Sequence, residues 1–322
     1  MAVSAVSETT SVAIGVPTYK RPAALALLVP RLLEQADELS AHEVRLVVVD
    51  NDPRGSAQAV CEAVADPRLR YVLEPTPGIA AVRNRILDEA GDAGLVAMID
   101  DDELPEPRWL SALVDTWRQT RSALVAGRVV AAFAGELDPW LAAGRFFDRR
   151  NLPTGSPISV AAAGNLLLDL RQIRAFGLRF DERLGLGGGE DTLFTRQLHA
   201  LGGQMVWCAE SVIVDQVPLS RMTRRWVLAR ARSQGHAGAR GELLLAGSSR
   251  ARLRVRVRVA LGGLLRVVSG SGRAASGIAL VRRGDQARGL RTAMRGMGML
   301  TAALGLEHQE YARPSGADHL RA

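Results

Sequence analysis

Within the first hundred residues, four short apolar runs, at 11–16, 44–49, 69–73 and 96–99, alternate with three stretches whose apolar residues recur at helical spacing. Strict alternation of this kind constrains a chain strongly, because parallel strands need crossovers and helices supply them. The spacing predicts β-α-β-α-β-α-β: an α/β chain with a mostly parallel sheet flanked by helices and ligands bound at the carboxyl ends of its strands. The first helix opens at Pro22 and carries Leu25, Leu28, Leu32 and Leu33 on one side, with Pro30 expected to kink it. The third follows Pro77-Gly78, repeats Ile79, Val82, Ile86 and Ala90, stops near Gly91, and presents Arg83, Asn84 and Arg85 near its start. No G-x-G-x-x-G follows the first run, so the glycine turn of a dinucleotide site is missing.

Two of the runs end in acids: Asp50-Asn51-Asp52 after the second and Asp100-Asp101-Asp102-Glu103 after the fourth. Carboxylates so crowded repel one another, by roughly 4 kcal/mol per pair at about 4 Å in an effective dielectric near 20. A solvated turn would tolerate them; a divalent cation would offset them. Mg²⁺ or Mn²⁺ suits oxygen ligands, and one or two carboxylates plus phosphate oxygens make a usual set.

Downstream, residues 109–120 read as a helix and 124–133 as a strand. Residues 135–160 read as loop, 159–169 as an apolar strand containing Gly164-Asn165, and 204–208 and 211–214 as two short strands. Glu190 and Asp191 fall at the mouth of a helix ending near Gly202-Gly203, and 218–234 read as a helix with arginines on one side.

The chain has 322 residues, 47% of them hydrophobic, enough to bury a sizeable core with an appendage beside it. Its formal charge of +7 is uneven: residues 250–295 hold twelve arginines against the single acid Asp285, and the remainder is mildly acidic. The excess therefore describes a C-terminal region. That region has no aromatic residues on which bases could stack, which argues against nucleic acid as a partner. Beside Leu, Val and Met its arginines suit either an anionic membrane surface or packing against the rest of the protein. Cys61 and Cys208 stand far apart without a CxxC context, so neither a disulfide framework nor a zinc site is expected. Residues 1–10 lack the basic and apolar regions of a signal peptide, and no apolar run reaches 18 residues. The expected location is the cytoplasm, with a peripheral seat on the inner face of a membrane as an option.

In order, the motifs Val-Pro-Thr-Tyr at 16–19, Val-Val-Asp-Asn-Asp at 48–52, Arg83-Asn84, Ile-Asp-Asp-Asp-Glu at 99–103, Gly-Asn at 164–165 and Gly-Gly-Glu-Asp at 188–191 resemble glycosyltransferase family 2, the inverting nucleotide-sugar transferases with a GT-A fold. The resemblance covers about residues 11–235. It implies a GT-A domain there with a Rossmann-like nucleotide-binding half, between a disordered 1–10 and a basic amphipathic helical appendage over 236–306, with a polar tail over 307–322.

It further implies that Pro17, Thr18, Tyr19, Asp50, Asp52, Arg83, Asp100 and Asp101 meet the donor nucleotide. Asp100 and Asp102 match the outer positions of the family's Asp-x-Asp motif and would hold Mn²⁺ or Mg²⁺. Asp191 matches the catalytic base, with Glu190 beside it as a second acid, although an acid in a first helical turn equally well caps the helix. Asn165, Gly188, Gly189, Arg225 and Trp226 are the expected sugar and acceptor residues; the arginines around Arg225 also fit a solvated helix face. Polymerising members carry Gln-x-x-Arg-Trp, whereas this chain has Met222-Thr-Arg-Arg225-Trp226 and no membrane spans, which points to the addition of one sugar. A lipid-linked glycan and a natural product or other small molecule are the acceptors left open. So are two other readings: a sugar nucleotidyltransferase, and a membrane-associated binding protein of the same fold without turnover.

Overall fold

A computed structural model describes residues 10–306; the expectations for 1–9 and 307–322 lie outside the described residues. The first half alternates as the spacing predicts: β1 (Val12–Thr18), α1 (Pro22–Glu38), β2 (Val44–Asp50), α2 (Gln58–Val64), β3 (Leu69–Leu73), α3 (Ile79–Glu89), β4 (Leu95–Ile99). Then come β5 (Glu103–Pro105), α4 (Trp109–Thr120), β6 (Leu124–Phe133), α5 (Pro139–Gly144), β7 (Asn165–Asp169), α6 (Leu170–Ala175), α7 (Glu190–Ala200) and β8 (Met205–Val217). Three long helices follow: α8 (Arg224–Leu245), α9 (Ser249–Ala279) and α10 (Arg283–Ala303).

The eight strands form one sheet in the order β3-β2-β1-β4-β7-β6-β8-β5. β1, β2, β3 and β4 run parallel, while β7 is antiparallel to β4 and β6, and β5 is antiparallel to β8. The parallel strands read as continuous apolar runs because both of their faces are covered. Val12, Ile14, Val16, Leu46, Val48, Ala97 and Ile99 point to one side, under α1 and α4; Ala13, Val47, Val49, Val96 and Met98 point to the other, under α3, α6 and α7. Gly15 lets α3 approach: a Cβ there would lie 2.2 Å from Ile86 Cγ2.

The chain divides into two compact units. One takes in residues 10–132, 148–181 and 194–216, the other 133–147, 182–193 and 217–306. In the second unit, α8, α9 and α10 pack closely because glycines leave room for neighbouring backbone. A Cβ on Gly235 would meet Arg295 O at 2.1 Å, and one on Gly270 would meet the Ala293 nitrogen at 2.5 Å.

Several local expectations are corrected. Residues 139–144, expected as loop, form α5, because the Asp138 side chain accepts the Trp140 N–H at 2.6 Å and Pro139 presets the first turn. β7 begins only at Asn165, and the two short strands expected over 204–214 are the single β8. Leu104 and Pro105, directly after the acidic run, belong to β5, whose partner is far along the chain. Helix α1 runs to Glu38 with Pro30 inside it, so the proline does not end the helix. The Gly- and Ala-rich stretch after residue 234 is helical to Leu245, in keeping with the helical region expected from 236 onward, and Gly235 sits where α8 meets α10.

Candidate active site

The carboxyl ends of β1, β2 and β4 lie side by side, so the loops that follow them gather the motif residues of the first unit. At the end of β1, Pro17 and Thr18 are buried and Tyr19 is half-buried, with the Lys20 ammonium 5.2 Å from the Tyr19 ring centroid. The Thr18 hydroxyl donates to Asp101 Oδ2 at 2.8 Å, and Arg21 Nη1 reaches Asp101 Oδ1 at 2.7 Å and Asp102 Oδ2 at 2.9 Å. Arg21 thus supplies positive charge to two of the crowded acids. Burial nevertheless pushes the Asp101 carboxyl up to about 6, against the pull of Arg21 and Thr18.

Asp50 has no exposed surface. One of its oxygens accepts the Asp52 N–H and the other the Ala57 N–H, both at 2.8 Å, and the Tyr71 hydroxyl donates to it at 3.3 Å. Asn51 ties the next loop down: its amide donates to the Glu74 and Thr76 carbonyls at 2.6 and 2.8 Å, and its oxygen accepts the Gly78 N–H at 3.1 Å. Asp50 therefore holds the loop that follows β2 from a buried position, and Asp52 in that loop is buried too. Gly78, at φ +123°, turns the chain into α3 in a conformation that side-chain-bearing residues rarely adopt.

Near the start of α3 the buried Arg83 donates to Asp100 Oδ1 at 3.2 Å. Its neighbour Asn84 exchanges two hydrogen bonds with the Phe180 backbone at 3.0 and 2.9 Å, locking the loop before residue 181 against α3. Glu103 accepts the Asp100 N–H at 3.2 Å, and Gly164 makes room for it, since a Cβ there would lie 2.6 Å from Glu103 Oε2. The β5–β8 pairing sets Glu103 opposite Asp215, which the Arg149 guanidinium meets at 3.2 Å. Burial, and then the charges of Asp100, Asp102 and Asp215, hold the Glu103 carboxyl well above the usual carboxylate range. Asp100 and Asp102 keep partly open side chains, at 36% and 22% exposure.

Asn165 lies at the first residue of β7 with its bonding capacity used. Its oxygen accepts Trp109 Nε1–H at 2.9 Å and the Ser211 hydroxyl at 3.3 Å, while its amide donates to the Arg128 and Ser211 carbonyls at 2.9 and 3.1 Å. It ties α4 to three strands in the core.

In the second unit, Glu190 is buried and Asp191 half-buried in the first turn of α7. The Asp191 carboxylate accepts the Thr192 N–H at 2.5 Å. Gly188 and Gly189 have φ of +71° and +87°, and Gly189 lies against α8, where a Cβ would meet that of Ala237 at 2.8 Å. The Arg240 guanidinium donates to the Arg183 carbonyl at 2.8 Å and so fixes the 3₁₀ turn Glu182–Gly187 that leads to these glycines. Arg225 is exposed. Trp226 stacks on Phe147 at 6.3 Å between centroids and closes an apolar cluster with Trp140 and Val227.

The comparisons with known proteins decide the family. The family model described as glycosyl transferase family 2 matches residues 13–173. Over 238 residues the chain is 32% identical to the succinoglycan biosynthesis protein ExoM of Rhizobium meliloti (strain 1021), an alignment covering 73% of this chain and 76% of that protein. The chain belongs to glycosyltransferase family 2.

Solved structures agree on the fold of this glycosyltransferase. S. aureus TarS superposes with a TM-score of 0.51 at 16% identity, over 76% of this chain and 41% of that longer one. TarS 1-349 in complex with UDP-GlcNAc gives a TM-score of 0.51 at 13% identity over 92% of each chain. The fold is GT-A: an α/β sheet flanked by helices, with helices at the C-terminal end.

The sequence reading gave no site role to three groups in the glycosyltransferase's first unit. Arg21 looked like a turn residue before a helix, and Glu103 and Asp215 meet only through a strand pairing more than a hundred residues apart in the chain. The acidic run after the fourth strand, which Glu103 closes, was the available signal for it.

Proposed function

We propose that the enzyme is a metal-dependent inverting glycosyltransferase that moves one sugar from a nucleotide-sugar donor to an acceptor hydroxyl. One observation carries this reading: Asp100, Asp101 and Asp102 meet Arg83 and Arg21 at the carboxyl ends of adjacent parallel strands, where α/β sheets bind their ligands. A donor of this class is also what the UDP-GlcNAc complex of TarS holds.

The donor set fits Mg²⁺ or Mn²⁺. Asp100 and Asp102 offer hard carboxylate oxygens with part of each side chain open to solvent. Among the described residues no group of three or more His, Cys, Asp or Glu is placed to hold a metal ion, and two carboxylates completed by diphosphate oxygens is the arrangement such ions accept. A cation held there would neutralise charge on the departing nucleoside diphosphate. In this reading Arg83, which is buried and donates to Asp100, meets phosphate oxygens, and Tyr19 and Asp52 meet base and ribose.

Inversion is a single displacement. The acceptor oxygen bonds to the anomeric carbon as the bond from that carbon to the phosphate oxygen breaks, and the hydroxyl proton passes to a carboxylate. Asp191 takes that proton, with Glu190 shaping its surroundings. Gly188 and Gly189 let the backbone run close to the sugar, and Arg225 and Trp226 serve the acceptor, a lipid-linked glycan or a small molecule. In this reading the transfer chemistry belongs to residues 11–235, and 236–306 form its basic appendage.

The test is turnover on a panel of nucleotide-sugars with Mn²⁺ or Mg²⁺, with the anomeric configuration of the product read by NMR. The reading requires inversion, loss of activity on chelation, and a fall of at least about a hundredfold in kcat for Asp191→Asn, the range a positioned general base supplies. Turnover that survives chelation, or a product of retained configuration, overturns it.

A further inference from the structure

We propose that the outward face of α9 is a docking surface for an anionic lipid bilayer. The two sides of this helix differ. Val259, Gly263, Gly270, Ala274 and Gly277 are buried on the side against α10, where a Cβ added to Gly263 would come within 3.0 Å of the Gly296 carbonyl. Across the helix, Leu253, Val257, Leu261, Leu264 and Val268 follow at intervals of four, four, three and four residues, which at 3.6 residues per turn makes one straight ridge. With Leu265 beside them, these side chains are between 50% and 68% exposed. Six large aliphatic groups in one row are more than the scattered apolar residues of an ordinary surface.

Charge selects the occupant. Arg250, Arg254 and Arg258 step along one border of the ridge and Arg256 stands on the other, all exposed. A helix lying in a bilayer interface has this make-up: aliphatic groups enter the acyl boundary while arginine stems lie along it and their heads reach the phosphates. A second copy of the chain would set the same rows of cations against each other, which disfavours pairing through this face. A soluble polyanion would satisfy the arginines and leave the ridge in water. The turn from α9 to α10 continues the pattern, with Ile278, Leu280 and Val281 exposed and Arg282 and Arg283 following. Val281 is 86% exposed at φ +56°, a strained conformation for a β-branched residue. No helix of the described residues is long and apolar enough to cross a membrane, so the attachment is to its surface.

This surface is independent of the transfer chemistry, and so is its test. Full-length protein is floated with vesicles of phosphatidylcholine alone and of phosphatidylcholine mixed with phosphatidylglycerol, at low and high salt. The account predicts flotation only with the mixed vesicles and its weakening by salt. Two variants, Leu261→Gln/Leu264→Gln/Leu265→Gln and Arg250→Gln/Arg254→Gln, should each weaken it tenfold or more while circular dichroism and melting temperature stay unchanged, because the altered groups are exposed. Absence of flotation with the mixed vesicles overturns the proposal. So does binding that the arginine variant abolishes and the leucine variant leaves intact, the mark of a polyanion strip, and so does a dimer seen by light scattering that the leucine variant dissociates without any lipid binding.

Discussion

Asp50 and Asp102 carry the same carboxylate after the two strands that flank β1, yet their surroundings give them opposite uses. Asp50 is sealed in and accepts two backbone N–H groups, so Asp50→Ala leaves both donors buried without partners and should cost about 2 kcal/mol or more in urea denaturation. Asp102 has part of its surface open and pairs with Arg21, which is itself well exposed. Asp102→Asn should therefore change stability by less than about 1 kcal/mol while abolishing turnover.

Asp101 offers a pH test. Its folded value near 6 lies above its unfolded one, so the folded state binds the extra proton; stability from this group is present at acid pH and is lost as pH rises through about 6. In chelator, the stability gap between wild type and Asp101→Asn should therefore shift by on the order of 2 kcal/mol between pH 4 and pH 7, with the variant gaining relative to wild type as pH rises. A pH-independent gap would contradict the assignment.

Among the elements, α3 depends on Gly15, because the methyl of alanine there would run into Ile86. Gly15→Ala should cost about 1–3 kcal/mol by forcing helix and sheet apart, read as a shift of the denaturation midpoint at unchanged slope. In the second unit, Gly270→Val would push α9 off α10 by the same mechanism and should lower the melting temperature.

These elements also show what the sequence could tell. β1 to β4 and their helices were legible because alternation, prolines and glycines act within a few residues of where they stand. The other half of the sheet was not. β5 and β8 are held by a partner a hundred residues away, and nothing near Glu103 announces that Asp215 will lie opposite it. α5 hid behind a loop-like composition because one aspartate cap sufficed to start it. Asn165 was found by motif but its core hydrogen bonds were not, since an amide that satisfies four core groups reads the same in sequence as one that faces a sugar.

At the scale of the whole molecule, the charge follows the division of labour proposed for it. Acids gather at strand ends where a cation and a diphosphate are expected, and arginines crowd the long C-terminal helices. The central claim is that the acidic end of β4 grips an activated sugar through a divalent cation, and the melting temperature tests it most directly. A bound donor stabilises the folded state by mass action, by about 2.7 kcal/mol at a hundred times its dissociation constant, which is roughly 5 °C or more for a chain of this size. The account predicts that one nucleotide-sugar raises the melting temperature by that amount with Mn²⁺, by far less in chelator, and not at all for Asp102→Asn with Mn²⁺. An equal rise in the presence of chelator, or an undiminished rise in Asp102→Asn, would contradict it.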